Sequence, residues 1–325
     1  MDIKNKKVLI TGGTGMIGRQ LVSLLNELGA ETHVVSMDKN PDINCFKFYE
    51  LDLREFSNCR SIVKGIDIVF HVAGIKGSPK MCKEKPARFS VPMMQFNLNM
   101  MEAAMTENVK WYLYTSSIGV YQPEEILKEH RVWETFPSDN DKFAGWAKRM
   151  GELQAEAYAI ENGLNKVSIV RPANVYGSYD NFDKNTAMVI PSIISKCFES
   201  EKIEVWGDGT QIRDFIHARD VARAMIFAVQ NEITEPLNVG SNTNTTIKDI
   251  VENIVKCFNP IRKINWDVTK TAGDKIRVLD SNKIVNYGFE YEMNLEKGIK
   301  QTVDWFLNNQ SIVNKRYNPF TEKKV

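Results

Sequence analysis

Apolar positions along the chain follow two rhythms that alternate. Short unbroken apolar or β-branched runs, Val8–Ile10, Thr32–Ser36, Phe46–Tyr49, Ile66–His71, Trp111–Thr115 and Val167–Val170, have the length of strands buried on both faces. Between the first two, Leu21, Leu24, Leu25 and Leu28 recur at helical spacing and stop at Gly29, a C-cap residue. Phe56–Val63, Met93–Asn108 and Ala144–Ile160 read as further helices. Strands alternating with helices predict an α/β fold, a doubly wound parallel (Rossmann) sheet with ligand at the strands' carboxyl ends. Past Arg171 and Pro172 the rhythm becomes irregular, with a helix-like Val189–Phe198 and then short elements and polar loops. The expected division is residues 1–177, with a return segment near 212–240, as the dinucleotide-binding domain. Residues 178–325 then form mainly a smaller substrate-binding lobe that walls one side of the cleft.

The first strand runs into Thr11-Gly12-Gly13-Thr14-Gly15-Met16-Ile17-Gly18 and then straight into a helix. That is the geometry of a pyrophosphate site. Gly12 permits the tight turn, Gly15 lets backbone approach phosphate, and Gly18 lets helix and strand pack closely. The spacing is GxxGxxG, and a glycine turn before a helix is a weak signal by itself. Asp38 strengthens it, because an acidic residue ending the second strand, about 20 residues on, is placed to bond ribose hydroxyls and to repel the extra phosphate of NADP. Lys39 works against that discrimination. Asp52 is placed to accept from the adenine amine and to cap the helix from Phe56, and both can hold. His71 reads as a packed strand-end residue, and the small residues after it leave room for a flat cofactor.

Composition narrows the class without naming it. Lys+Arg 42 against Asp+Glu 41 leaves a charge of +1, so no global field recruits nucleic acid or an acidic membrane. No apolar run reaches the ~18 residues of a membrane span. The segment from Met1 to Lys7 lacks a signal peptide's apolar core, which makes the cytoplasm the expected location. Cys45, Cys59, Cys82, Cys197 and Cys257 form no CxxC pair and read as free thiols; no metal is expected.

Together the blocks resemble the extended short-chain dehydrogenase/reductase family. They are the glycine turn, Asp38, Leu51-Asp52-Leu53, His71-Val72-Ala73-Gly74, Thr115-Ser116-Ser117, the Lys148 helix and Arg171-Pro172-Ala173-Asn174-Val175-Tyr176-Gly177, in the family's order. Asp180-Asn181-Phe182, Val189-Ile190-Pro191, Trp206 to Phe215 and Leu295–Asn308 are similar to its GDP-fucose synthase branch. The resemblance implies NAD held by Gly12, Thr14, Gly15, Met16, Ile17, Gly18, Asp38, Asp52 and Leu53. On the far side of the cofactor it adds Ala73, Gly74, Lys76, Asn97, Lys148, Pro172 and Ala173. It implies that Ser117, four residues before Tyr121, bonds the reacting sugar oxygen, and that Lys148 holds the nicotinamide ribose and biases proton transfer. It further implies that Asn174, Lys196, Arg213 and Arg277 grip a GDP-linked sugar, with Trp206 lining the nucleotide pocket. Plainer readings stand beside these: Lys196 as a solvated helix residue, Arg277 as a surface charge, Arg213 in an ion pair with Asp214. A homodimer built on the helices Met93–Asn108 and Ala144–Ile160 is the family's usual assembly.

Three positions depart from the pattern. The family's acid/base tyrosine, four residues before the lysine, is Ala144 here, and a methyl group cannot take a proton. The cysteine and histidine that epimerise C3 and C5 are Gly119 and Met188, and the acidic pair of sugar dehydratases is Ile118 and Gly119. What survives is hydride transfer at C4 of a mannose-like sugar, with a water held by Ser117 near Lys148 as the proton's route and Tyr121 as a lesser stand-in. A C4 epimerase and a non-catalytic NAD-binding protein are the competing readings.

Overall fold

In the computed structural model, which describes residues 1–39, 41–76, 79–162, 166–183, 186–270, 275–313 and 317, strand and helix alternate as the apolar rhythm demands. The first part of the chain runs β1 (Lys7–Thr11), α1 (Met16–Glu27), β2 (Glu31–Ser36), β3 (Lys47–Glu50), α2 (Phe56–Val63), β4 (Ile68–His71), α3 (Pro79–Glu84), α4 (Pro86–Thr106), β5 (Trp111–Thr115), β6 (Ile126–Leu127), α5 (Lys142–Asn162), β7 (Val167–Pro172) and β8 (Asn174–Tyr176). It continues through α6 (Val189–Glu199), β9 (Lys202–Trp206), β10 (Ile212–Arg213), β11 (Phe215–His217), α7 (Ala218–Gln230), β12 (Leu237–Val239), β13 (Thr245–Thr246), α8 (Ile247–Lys256), β14 (Lys263–Asp267), β15 (Ile276–Leu279), α9 (Asn282–Asn286) and α10 (Leu295–Asn308).

Seven strands form one parallel sheet in the order β12-β7-β5-β4-β1-β2-β3. Because side chains alternate across a strand, Val8, Ile10, Ile68, Phe70 and Leu113 pack on the face covered by α1 and α7. Leu9, Val69, Tyr112 and Tyr114 pack on the other face, with Met100 and Met101 of α4 and Ala155 of α5. Both faces are covered, as a parallel sheet requires. The chain winds outward from β1 to β3, then crosses back to β4 and winds the other way. The reversal between β1 and β4 opens the crevice where such folds bind ligands.

Two expectations are corrected. The fourth helix starts at Pro86 rather than Met93: a proline at the first helical position needs no N–H partner, and Pro92 is absorbed inside the helix. The C-terminal part is far more regular than its rhythm suggested. A capping box starts α8, with Thr246 Oγ1 accepting from the Asp249 amide at 3.0 Å and Asp249 Oδ2 accepting from the Thr246 amide at 3.0 Å. Asn294 caps α10 by accepting from the Lys297 amide. These helices and α6 enclose a second core of Ile190, Ile194, Ile203, Val205, Ile254, Val303 and Phe306. The polar loop 122–141 is anchored too, since β6 pairs with β15 in a four-stranded sheet, β13-β10-β15-β6.

Candidate active site

The turn after β1 is shaped by backbone contact. Gly12 has φ +65°, and a Cβ there would lie 2.9 Å from Ala73 Cα, so β1 and β4 meet at the crevice with no room for a side chain. A Cβ on Gly18 would lie 2.3 Å from the Gly12 carbonyl oxygen. Gly15 caps α1 without a capping side chain, and the first turn (Met16, Ile17, Gly18) carries no acidic residue. Its amides and the positive end of the helix dipole suit a pyrophosphate. Thr14 Oγ1 donates to Ser36 Oγ at 2.8 Å, and Ser36 Oγ accepts from the Asp38 amide at 3.1 Å, tying this turn to the end of β2. The residues present fit a dinucleotide. Asp38 also accepts from the Tyr317 amide at 2.7 Å, a contact 279 residues away in the chain that no local pattern announces.

Other cofactor candidates are engaged within the protein. Both Asp52 oxygens are held by the Arg54 guanidinium, at 3.0 and 2.8 Å from Nε, and the residue before α2 is Glu55, so Asp52 is not its N-cap. Leu53 is in the core and its carbonyl accepts from Cys59 and Asn99. Lys76 pairs with the buried Asp180 at 2.7 Å. Ala73 and Val72 direct their amides to Thr11 Oγ1, and the Ala173 amide, beside Pro172, reaches Val239. Gly74 follows in the same turn.

Asn97, expected at the cofactor, spends its side chain on an internal brace. Tyr114 Oη donates to the Lys148 carbonyl at 3.1 Å, so it accepts from Asn97 Nδ2 at 3.1 Å. Asn97 Oδ1 then faces His71 Nε2 at 2.9 Å, which puts the His71 proton on Nε2 and leaves Nδ1 to accept from Thr11 Oγ1 at 2.9 Å. Burial first, and the Lys148 charge second, push His71 down to about 3, so it stays neutral. This one-directional chain couples the β1 and β4 turns to α5.

At the end of β5 the two serines part. Ser116 is buried and donates to Glu152, while Ser117, half-buried, accepts from the Gly119 amide at 3.0 Å as its chain enters the 3-10 turn Ile118–Val120. Glu152 is held by Arg171 at 2.9 and 2.6 Å, and both side chains are buried. Arg171 also donates to Tyr121 Oη, which donates to Asn238 Oδ1 at 2.6 Å; a phenol so buried is no proton donor for a ligand, and the stand-in role for Tyr121 falls away. Lys148 donates to the Thr115 carbonyl at 2.7 Å, and burial draws its amine down to about 8, with Glu152 opposing the shift. Ala144 lies one turn before it, beside the apolar group Phe89, Met93 and Ala147. Gly145 brings α5 against the serine turn, since a Cβ there would sit 2.4 Å from the Gly119 oxygen.

The substrate-side candidates are spread along the chain from β8 to β15. Asn174 Nδ2 donates to the Asp214 carbonyl, and Lys196 Nζ donates to the Glu204 carbonyl at 2.8 Å in an exposed setting. Trp206, 58% exposed, ends β9 on the surface. Arg213 donates to the Ile212 carbonyl, whereas Asp214 is taken by Ser241 and the Leu279 amide. Arg277 is half-buried and pairs with Asp141 at 2.7 Å, so it is no surface charge. Sequence reasoning missed Asp141, Glu152 and Asn238 because their partners are distant in the chain. The 148/152 spacing along one helix face was the one local hint.

Fold and turn define a dinucleotide-binding α/β protein of the short-chain dehydrogenase type. The model of the NAD dependent epimerase/dehydratase family matches residues 8–240, and the chain belongs to that family. It is 28% identical over 318 residues to GDP-L-fucose synthase 1 of Arabidopsis thaliana, covering 95% of each chain. Among solved structures it is similar to a UDP-glucose 4-epimerase from Thermotoga maritima with UDP-glucose (TM-score 0.81, 26% identity, 94% and 99% covered). It is also similar to a GDP-L-fucose synthetase from Naegleria fowleri bound to NADP (TM-score 0.80, 23% identity, 96% and 97% covered). Among the described residues no helix is long and apolar enough to cross a membrane.

Proposed function

We propose that the protein is an NAD-dependent oxidoreductase of the cytoplasm that interconverts the C4 hydroxyl and 4-keto forms of a GDP-linked, mannose-like sugar. The observation that carries this reading is that Ser117, just after β5, and Lys148, which donates to the Thr115 carbonyl at 2.7 Å, lie at the carboxyl edge of the sheet that also carries the glycine turn after β1, with Ser116 withdrawn to Glu152. Relatives named as GDP-L-fucose synthase and GDP-L-colitose synthase support the substrate class. Asp38 supports NAD, although a structural neighbour holds NADP. When bound, the nicotinamide accepts or supplies the hydride. Ser117 orients the sugar oxygen, and Lys148 places a cationic amine beside it that favours the developing oxyanion. Asn174, Lys196, Trp206, Arg213 and Arg277 serve the nucleotide diphosphate, whose charge calls for such donors. Gly119 and Met188 carry no proton to or from C3 and C5, and Ile118 with Gly119 expels no water. Val91 and Leu98 on α4 and Trp146, Met150 and Leu153 on α5 are exposed, which supports a homodimer on these helices.

The test is incubation with a GDP-linked 4-keto-6-deoxy sugar and NADH in deuterated buffer, followed by NMR of the product. Net NADH oxidation with no deuterium at C3 or C5 is expected. Deuterium at either carbon above a no-enzyme control overturns the assignment of Gly119 and Met188. The second reading, a C4 epimerase, draws on the likeness to the Thermotoga protein. It is distinguished by inversion of a 4-hydroxy sugar nucleotide with catalytic NAD and no net NADH. Cofactor binding without any turnover leaves the non-catalytic reading.

A further inference from the structure

With Ala144 unable to exchange a proton, the ionisable groups around Ser117 become informative. The missing side chain of Gly119 leaves a space bordered by two polar groups. A Cβ built there would lie 3.4 Å from Ser117 Oγ, 3.7 Å from Asp141 Cβ and 3.8 Å from Asp141 Cγ, so the two side chains border the same gap. Asp141 immediately precedes α5, on whose first turns Ala144 and Lys148 lie. Its Oδ2 accepts from Ser138 Oγ at 3.1 Å and pairs with Arg277 Nη1 at 2.7 Å. Arg277 Nη2 donates to the Ile118 carbonyl at 3.1 Å, within the serine turn itself. Cys82 of α3 faces Asp141 as well; burial first, and the carboxylate's charge second, push that thiol up to about 11, so it stays a neutral neighbour.

Resting on the oxidoreductase reading above, we propose that Asp141 exchanges the proton for the Ser117 side of the site in place of the phenol that Ala144 lacks, and that Arg277 keeps it paired until a diphosphate draws the guanidinium away. Arg277 cannot serve both anions at full strength, and a diphosphate carries more charge and more acceptor oxygens than one carboxylate. Once Arg277 turns to the diphosphate, Asp141 is released from its ion pair. In reduction, hydride from the reduced nicotinamide dinucleotide adds to C4. The C4 oxygen takes the Ser117 hydroxyl proton as Ser117 takes one from Asp141, leaving a secondary alcohol, the oxidised dinucleotide and an Asp141 carboxylate. Oxidation is the reverse. Asp141 thus acts through Ser117.

Asp141→Asn tests both halves, with GDP, UDP and dTDP as probes and GMP, UMP and dTMP as controls. Removing the competing charge should tighten binding of whichever diphosphate the protein takes by about fivefold, the scale of a partly exposed ion pair. Monophosphates should change less. With the sugar nucleotide that supports NADH oxidation, kcat of the variant should fall by about 100-fold or more while KM falls with it, the scale of lost proton transfer. Asp141→Glu should recover part of kcat. A merely structural role for Asp141 weakens binding and turnover together. Unchanged or weaker diphosphate binding, or no diphosphate binding by either protein, overturns the pairing role. An unchanged kcat overturns the proton role. A wild type that binds diphosphates but turns over no sugar nucleotide instead removes the oxidoreductase reading, and Asp141's proton role with it.

Discussion

Two turns at the carboxyl edge of one sheet are built on opposite plans. The Gly12–Gly18 turn is made by the absence of side chains: Ala73 and the Gly12 carbonyl approach where a methyl group would collide. The Ser116–Tyr121 turn is made by side chains from far along the chain, with Glu152, Arg171, Asn238, Asp141 and Arg277 all converging on it. A turn of the first kind is set by local residues and tolerates no addition. One of the second kind tolerates additions where it has space and fails when a distant partner is removed.

The sharpest contrast comes from Glu152→Ala. It leaves the buried Arg171 guanidinium without its carboxylate and should cost about 3–5 kcal/mol of folding stability. Urea unfolding measures it, and a loss under 1 kcal/mol would mean the serine turn does not depend on that ion pair. Gly18→Ala is the counterpart at the first turn. Its Cβ meets backbone that cannot rotate away, with an expected loss of about 1–3 kcal/mol, felt as dinucleotide affinity. Titration of NADH fluorescence reads it; wild-type affinity in a folded Gly18→Ala protein would break the comparison.

Ala144→Tyr asks whether the second turn accepts an addition. If the space beside Phe89, Met93 and Ala147 takes the ring, kcat should rise about tenfold or more with little change in KM, within the range of positioned proton transfer. A flat or lower kcat in a folded protein would show that the site works through Ser117 and its other neighbours. The smallest effect is expected from Asp38→Ala, which should narrow a preference for NAD(H) over NADP(H) by a few-fold, about 1 kcal/mol. Equal or better affinity of the unmodified protein for NADP(H) would end the NAD assignment.

Strand and helix order, the glycine turn, the paired serines and the lysine one helical turn after Ala144 were legible in the sequence, because each depends on residues near one another in the chain. Period-two and period-3.6 patterns report burial directly, and a glycine that must be glycine leaves its mark at its own position. The capping box of α8 was equally local and could have been read from Thr246, Asp249 and the stripe after them. Only the tertiary structure decided what each polar group faces. Asn97 braces His71, Asp52 is spent on Arg54, Tyr121 is locked against Asn238, Tyr317 reaches Asp38, and Asp141 shares Arg277 with the turn beside Ser117. Hydrogen bonds and ion pairs act over about 3 Å of space with no regard to chain separation. Their partners are therefore fixed by how the sheet brings its loops together, which no single stretch of residues records.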